Sequence, residues 1–300
     1  MKTVLEAPPG FSLHRTIYSH GWSSLPPFRV DKDRAMLLRA DALPDGRAVT
    51  YSIHQPAKKQ IVVEIVNGSA NRSEDMKTIA AIVRSSLRFD EDFTLFYSQA
   101  RKLWHFKWVW HSGAGRLLRA PTVFEDAVKM ICTTNCSWAL TEVMIANLCK
   151  KLGKQMSEDV YTFPTPTALA DCTEAFIRKE IRAGYRAPYL LELAKNIVKK
   201  KVDIESWRTS KLPTEKLFQE VLSVKGIGPY AAANILKLLG RYDYLGIDSW
   251  CRKSFSKMYK NGRKVSDKTI EKYYSQYGEW RGLFFWLDVT KHWYDEKFPF

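Results

Sequence analysis

Asp248 is the side chain of this sequence whose position most directly suggests chemistry. It lies 20 residues beyond Gly228, in a chain whose segment VKGIGPYAAANIL has the turn-and-helix pattern of a phosphate site. An ionised carboxylate can stabilise a positively charged transition state, and it can orient or deprotonate an attacking water. Asp is also a common helix cap, so Asp248 could instead only begin a helix that starts at Ser249. The two roles are compatible.

Two helices joined by a tight turn are predicted over residues 217–236. Apolar residues recur at helical spacing in LFQEVLSV, and Gly226 follows where a helix end needs positive φ. Pro229 suits the first turn of the second helix, because its missing N–H would have no intrahelical partner there. The free backbone N–H groups around Gly228 and Ala231 carry the positive end of the helix dipole, which favours a DNA phosphate. A GxG turn alone would fit an ordinary αα-hairpin with a glycine cap.

The elements that must position this hairpin fall into two parts. The runs MLLRADAL, AVTYSIHQ and QIVVEIV are separated by PDG and PAKK turns, which predicts an antiparallel sheet. A helix is expected from Ser73, and helices dominate from residue 121 onward. We therefore predict an α+β chain, with an N-terminal antiparallel sheet domain with short helices at 1–115 and a helical region at 116–300.

Composition favours a polyanionic partner. The 300 residues include 47 Lys and Arg against 32 Asp and Glu, a formal charge of +15. Such a balance attracts phosphates without reading sequence, so it also fits an RNA-binding protein. No run is long enough for a transmembrane helix, and the first residues lack the apolar core of a signal peptide. We expect a soluble cytoplasmic protein that does not bind membranes.

The hairpin and Asp248 together resemble the helix-hairpin-helix (HhH-GPD) DNA glycosylases. FEDAVKMICTTNCSWALTEVMIANLCKKLG (124–153) is similar to the first helix pair of that family, and AGYRAPYLLELAKNI (183–197) to its DNA-probing segment. The resemblance covers roughly residues 118–290 and is nearest the branch of AlkA and the 8-oxoguanine glycosylases. It implies a DNA-repair enzyme that flips a damaged purine out of duplex DNA and hydrolyses its glycosidic bond. We expect it to act as a monomer.

The resemblance also assigns residues to the DNA and to the base. Asn135, Tyr185 and Arg186 match the positions that fill the gap left by the flipped base and contact the orphaned partner base. The base pocket is implied at a further set of positions, which are Gly21, Tyr230, Asn234 and Trp286. An aromatic cleft of this kind is expected to suit electron-poor alkylated bases. Gly282 stands where the 8-oxoguanine branch has a glutamine that reads guanine, which counts against that specificity.

Tyr230 bears on the reaction type. In bifunctional relatives the matching residue is a lysine that forms a Schiff base with the sugar, and a phenol cannot form that imine. We therefore expect hydrolysis without lyase activity. Two alternatives stay open, a non-catalytic nucleic-acid-binding hairpin module and an 8-oxoguanine-specific glycosylase with weak lyase activity.

Cofactors are not expected. Some relatives hold an iron–sulfur cluster through four cysteines after the catalytic segment, whereas only Cys251 follows Asp248 here. Cys132 and Cys136 lie one helical turn apart and could share one face of a helix. Two thiolates without nearby partners make a poor metal site, so packing in the core is the expected role of both. No metal site is predicted from side chains, although the family's hairpin implies a possible Na⁺ or K⁺ held by backbone carbonyls.

Overall fold

A five-stranded antiparallel sheet forms most of the N-terminal part. The computed structural model describes residues 1–68 and 72–295, and the last five residues of the predicted helical region lie outside it. The strands have the spatial order β1-β5-β4-β3-β2. Their bounds are β1 (Lys2–Glu6), β2 (Phe28–Asp31), β3 (Met36–Ala42), β4 (Ala48–Ala57) and β5 (Gln60–Gly68).

The three central strands coincide with the three predicted runs. Val49, Tyr51 and Ile53 alternate along β4 and are all buried, as expected for one face of a pleated strand. The edge strands β1 and β2 were not predicted. Both are short and carry exposed or half-buried residues at most positions, so they lack the apolar alternation that marks a strand.

The remainder of the chain is mainly helical. A short hairpin of strands β6 (Gln155–Ser157) and β7 (Val160–Tyr161) interrupts the helices. The helices are α1 (Leu13–Ile17), α2 (Ser73–Ser86), α3 (Thr94–Lys102), α4 (Lys107–Ser112), α5 (Val123–Thr133), α6 (Trp138–Leu152), α7 (Pro166–Ala170), α8 (Glu174–Lys179), α9 (Ala187–Val198), α10 (Thr214–Ser223), α11 (Pro229–Leu238), α12 (Ser249–Tyr259), α13 (Asp267–Tyr274), α14 (Arg281–Val289) and α15 (Lys291–Asp295). The predicted α+β class is confirmed.

The described residues form two hydrophobic cores. The first joins the sheet and α2 to the helices from α5 to α11. The second contains α3, α4 and the helices from α12 to α14. Helices α3 and α4, which we assigned to the N-terminal domain, thus pack against the C-terminal helices. The boundary at residue 115 stays a prediction, because the chain crosses between the two cores there.

A buried charge network docks the sheet onto α5. The Arg39 guanidinium on β3 lies 2.6 Å from the Glu125 carboxylate, and the Lys129 ammonium lies 2.7 Å from the same carboxylate. All three side chains are almost fully buried. Since removing one partner would leave a buried charge uncompensated, the network fixes the position of α5 relative to the sheet.

None of the helices in residues 1–68 and 72–295 has the length and apolar character needed to span a membrane.

Candidate active site

A cavity of about 500 Å³ lies where the two cores meet. Asp248 and the four positions predicted for the base pocket all line it. They come from four separate parts of the chain: the turn before β2, helix α11, the start of α12 and helix α14. The fold therefore brings the predicted catalytic residue and the predicted pocket residues to one place.

Asp248 has both of the features that the sequence suggested. Its side chain caps α12, because one carboxylate oxygen accepts a hydrogen bond of 2.7 Å from the backbone N–H of Cys251. It is also half-buried in the cavity wall next to Tyr230. Burial, followed by the charge and hydrogen bonding of Asp248, raises the pKa of the Tyr230 phenol. Capping uses one oxygen, and a carboxylate has further acceptor sites for water or a sugar.

Helix α11 turns one face toward the cavity. Tyr230, Asn234 and Lys237 recur at the spacing i, i+4 and i+7, so they lie above one another on that face. The Asn234 side-chain N–H donates to the backbone carbonyl of Tyr230 at 2.9 Å. The Asn234 carbonyl oxygen then accepts a 3.2 Å hydrogen bond from the Lys237 ammonium.

Lys237 lies near Tyr230 in the sequence but does not occupy the position of the Schiff-base lysine of bifunctional relatives, so the sequence reasoning gave it no role in the pocket. Its side chain is only 2% exposed, and burial lowers its pKa to about 8. Its ammonium lies 5.0 Å from the ring centroid of Trp286, a distance typical of a cation–π contact. The helical spacing from Tyr230 was a signal that could have placed Lys237 in the pocket.

The end of α11 is held by buried arginines. Arg88 donates at 3.0 Å to the carbonyl of Lys237, and Arg119 donates at 3.3 Å to the carbonyl of Leu238. Both guanidiniums also pair with Glu91, at 3.0 and 2.7 Å. Cations at the C-terminus of a helix oppose its negative dipole end, so this cluster fixes where Lys237 enters the cavity.

Tryptophans form much of the remaining wall. The Trp286 indole donates to the carbonyl of Ser19 at 2.9 Å, which ties α14 to the segment before β2. Trp138 packs so closely on Gly21 that a Cβ there would lie 2.2 Å from its ring. The sequence reasoning did not identify Trp138, Trp250 or Trp293 as lining residues.

Gly282 lies outside the cavity lining. Its N–H donates at 2.7 Å to the carbonyl of Tyr242, and a Cβ on it would lie 2.3 Å from the carbonyl oxygen of Tyr244. A larger residue would therefore collide with backbone at this position.

The three predicted gap-filling residues lie around the turn that contains Thr134, and two of them are exposed. Asn135 is exposed in the turn between α5 and α6 with φ +48°, and Tyr185 is 46% exposed. Arg186 is instead buried, donates to the backbone carbonyl of Thr134 and lies 4.5 Å from the Tyr185 ring centroid. Asn135 and Tyr185 are thus accessible to a ligand, whereas Arg186 lies beneath Tyr185 and supports the turn.

The hairpin has the predicted form. Helix α10 ends at Ser223, Gly226 has φ +91°, and Gly228 precedes Pro229 as the N-cap of α11. Gly228 is exposed, and a Cβ placed on it would meet no other atom within 4 Å, so a ligand can approach the backbone N–H groups there. The first N–H groups of a helix, including that of Ala231, have no partner within the helix.

Within residues 1–68 and 72–295, no cluster of His, Cys, Asp and Glu side chains is arranged to hold a metal ion. Cys132 is buried, and burial raises the pKa of its thiol to about 12. The neighbouring thiol of Cys136 donates to the Cys132 carbonyl at 3.2 Å. Both cysteines therefore serve packing and local hydrogen bonding.

The sheet, the hairpin and a cavity with Asp248 in its wall are the features against which the family is compared. The chain belongs to the HhH-GPD superfamily of base excision DNA repair proteins, whose family model matches residues 128–279. The predicted family and its role in base excision repair are confirmed. No curated protein sequence matches the chain.

Solved structures share the fold at low sequence identity. A 3-methyladenine DNA glycosylase from Archaeoglobus fulgidus is 20% identical, with a TM-score of 0.77 over 97% of this chain and 99% of the other. An 8-oxoguanine glycosylase/lyase from Clostridium acetobutylicum is 19% identical, with a TM-score of 0.65 over 91% and 99%. A 3-methyladenine DNA glycosylase from Schizosaccharomyces pombe is 16% identical, with a TM-score of 0.52 over 64% and 93%.

Proposed function

We propose that this chain is a monofunctional DNA glycosylase. It flips a damaged purine out of duplex DNA, hydrolyses the N-glycosidic bond and leaves an abasic site. The observation that carries the proposal is the placement of Asp248 in the wall of a base-sized cavity, next to the hairpin helix that starts at Pro229. A non-catalytic hairpin module would need the phosphate site but not this carboxylate or the cavity.

The chemistry follows from the charge that develops during cleavage. As the glycosidic bond breaks, positive charge builds on the sugar, and the half-buried carboxylate of Asp248 stabilises that charge. The same carboxylate orients or deprotonates the attacking water. A cavity of about 500 Å³ is within the range that holds a small ligand. Tyr230, Asn234 and Trp286 contact the base in this arrangement.

DNA binding uses two surfaces outside the cavity. The backbone N–H groups around Gly228 and Ala231 bind a phosphate. Asn135 and Tyr185 fill the gap left by the flipped nucleotide, because both are exposed and adjacent. Arg186 positions Tyr185 from below. The two neighbours solved with cytosine opposite 8-oxoguanine and with abasic DNA share this fold, which supports duplex DNA as the partner.

The decisive experiment is a duplex panel. Duplexes containing 3-methyladenine, 1,N6-ethenoadenine, hypoxanthine, 8-oxoguanine or uracil are incubated with the protein and assayed for abasic sites. We expect release of at least one purine lesion. Binding to every duplex without release from any would support the non-catalytic module instead.

One observation favours a second candidate, a glycosylase with lyase activity. Lys237 places a buried amine in the cavity, and its lowered pKa gives it more of the neutral, nucleophilic form. Borohydride trapping separates the two: we expect no covalent adduct with the wild-type protein. An adduct that disappears in Lys237→Met would overturn the monofunctional proposal and name the nucleophile.

A further inference from the structure

Lys237 differs from the other fully buried lysine of the described chain. Lys129 is paired with the Glu125 carboxylate at 2.7 Å, which compensates its charge. Lys237 has no carboxylate within 4.0 Å among the described residues, and its hydrogen-bond partner there is the amide oxygen of Asn234, at 3.2 Å. Yet it is 98% shielded from solvent and lines the cavity.

An ammonium group carries three N–H donors, and one of them is used by Asn234. Burying a charge without compensating partners is costly, and the cost falls when a ligand supplies acceptors. Lys237 lines the cavity, and its ammonium lies 5.0 Å from the ring centroid of Trp286 in the same wall, so the cavity is the space open to its remaining donors. Lys237 is therefore placed to donate to a ligand that enters the cavity.

The positive charge of Lys237 acts on a neighbouring titratable group. His20 also lines the cavity, and its pKa is lowered to about 3 by burial and then by positive charges that include Lys237 and Arg88. His20 is consequently neutral and adds no charge to the cavity. Asp248 is the acidic side chain among the described lining residues, and it lies beyond the 4.0 Å ion-pair distance from Lys237, although its charge acts on Lys237. Lys237 therefore supplies the positive charge at its own end of the cavity.

We propose that Lys237 is a specificity-determining residue, whose ammonium selects neutral damaged purines that present a carbonyl oxygen over purines that carry a positive charge. The inference rests on the proposed glycosylase function and names its substrate class. Oxidised and deaminated purines such as 8-oxoguanine and hypoxanthine have the required oxygen. It reverses the expectation drawn from the aromatic wall alone, because a fixed cation beside Trp286 repels a cationic alkylpurine.

The test compares two guanine lesions of different charge. 8-oxoguanine is neutral and 7-methylguanine is cationic, and both retain the O6 carbonyl. Because the positive charge also weakens the glycosidic bond of 7-methylguanine, each single-turnover excision rate is divided by the rate of uncatalysed release of the same base. Rates are measured at mildly acidic pH, where Lys237 is charged, with hypoxanthine as a third substrate to separate oxidised from deaminated lesions. We expect the normalised rates of wild-type protein to favour the neutral lesions by at least about tenfold, the value of one charge-assisted hydrogen bond.

Lys237→Met should lower that preference by about tenfold or more, since it removes both the donor and the repulsion. Lys237→Arg should keep it. Lys216→Met is the control, because Lys216 is exposed on α10 and its loss removes one positive charge away from the cavity. The melting temperature of Lys237→Met should equal or exceed that of wild type, whereas a purely structural lysine would lower it on removal.

A second readout does not depend on catalysis. Affinities for the same duplexes relative to undamaged DNA are measured in the Asp248→Asn background, with and without Lys237→Met. The role of Lys237 is overturned if wild-type protein shows no preference between the two guanine lesions, or if Lys237→Met leaves the preference unchanged by both readouts. Either outcome leaves the glycosylase proposal standing. Absence of excision from every lesion overturns the glycosylase proposal, and the binding ratio then decides on Lys237 separately.

Discussion

Asp248→Asn separates the two roles of this residue. In the structure one carboxylate oxygen accepts a 2.7 Å hydrogen bond from the N–H of Cys251, which begins α12. Asn caps helices about as well as Asp, so the free energy of unfolding should change by less than about 0.5 kcal/mol. Asp248→Ala removes the cap as well, and should cost about 1 kcal/mol.

Activity should respond very differently. The substitution removes the negative charge that faces the sugar, and loss of one such electrostatic group costs about 3 kcal/mol, or roughly two to three powers of ten in rate. Single-turnover release of the preferred lesion measures this loss. DNA affinity, measured by fluorescence anisotropy, should be equal to or slightly above wild type because one negative charge near a polyanion is gone.

The reasoning is refuted if Asp248→Asn retains excision within about tenfold of wild type, since a catalytic charge contributes more than that. A loss of rate accompanied by a loss of stability or DNA binding would also count against it. In that case the carboxylate would act through the fold and not on the sugar.

Other perturbations test the supporting structure. Gly226→Ala should destabilise the hairpin by about 2 kcal/mol, because the φ of Gly226 is +91° and an added Cβ would lie 2.7 Å from a neighbouring side chain. Gly228 has φ −88° and open space around an added Cβ, so Gly228→Ala should cost less than about 1 kcal/mol. Urea unfolding measures both changes in the free energy of unfolding. Arg88→Met removes a buried guanidinium that pairs with Glu91 and breaks a helix-end hydrogen bond, while Glu91 stays paired with Arg119. It should cost about 2 to 3 kcal/mol, against at most about 1 kcal/mol for the surface-paired control Lys151→Met. Burial lowers the pKa of His20 to about 3 in the folded protein, against an ordinary pKa of 6.5. The contribution of neutral His20 to stability is therefore fully present above pH 6.5. As the pH falls from 6.5 to 3, the free energy of unfolding should decrease by up to about 1.4 kcal/mol per pH unit. His20→Gln should lack this component when the two proteins are compared across that range.

Each of these has a clear contrary result. Equal costs for the two glycine variants would mean that backbone conformation does not control the turn. A mild effect of Arg88→Met would mean that the buried pair does not fix α11. Identical pH dependence in wild type and His20→Gln would mean that His20 does not titrate as the burial implies.

The sequence determined the elements that depend on neighbouring residues. The hairpin follows from helical spacing, the glycine with positive φ and Pro229, and the cap role of Asp248 follows from its place before α12. The central strands follow from alternation. The edge strands were missed because pairing with β5 and β3, and not their own pattern, makes them strands.

Tertiary structure decided which further residues line the cavity. Lys237, Trp138 and Trp293 are separated by tens to more than a hundred residues, and the meeting of the two cores brings them together. Whether a lysine is paired, as Lys129 is, or left facing a cavity depends on which distant carboxylate packs against it. Local sequence therefore specified the phosphate-binding turn and the Asp248 carboxylate. Long-range packing specified the charged group, Lys237, that a flipped base would contact, because burial and electrostatic environment are properties of the assembled fold.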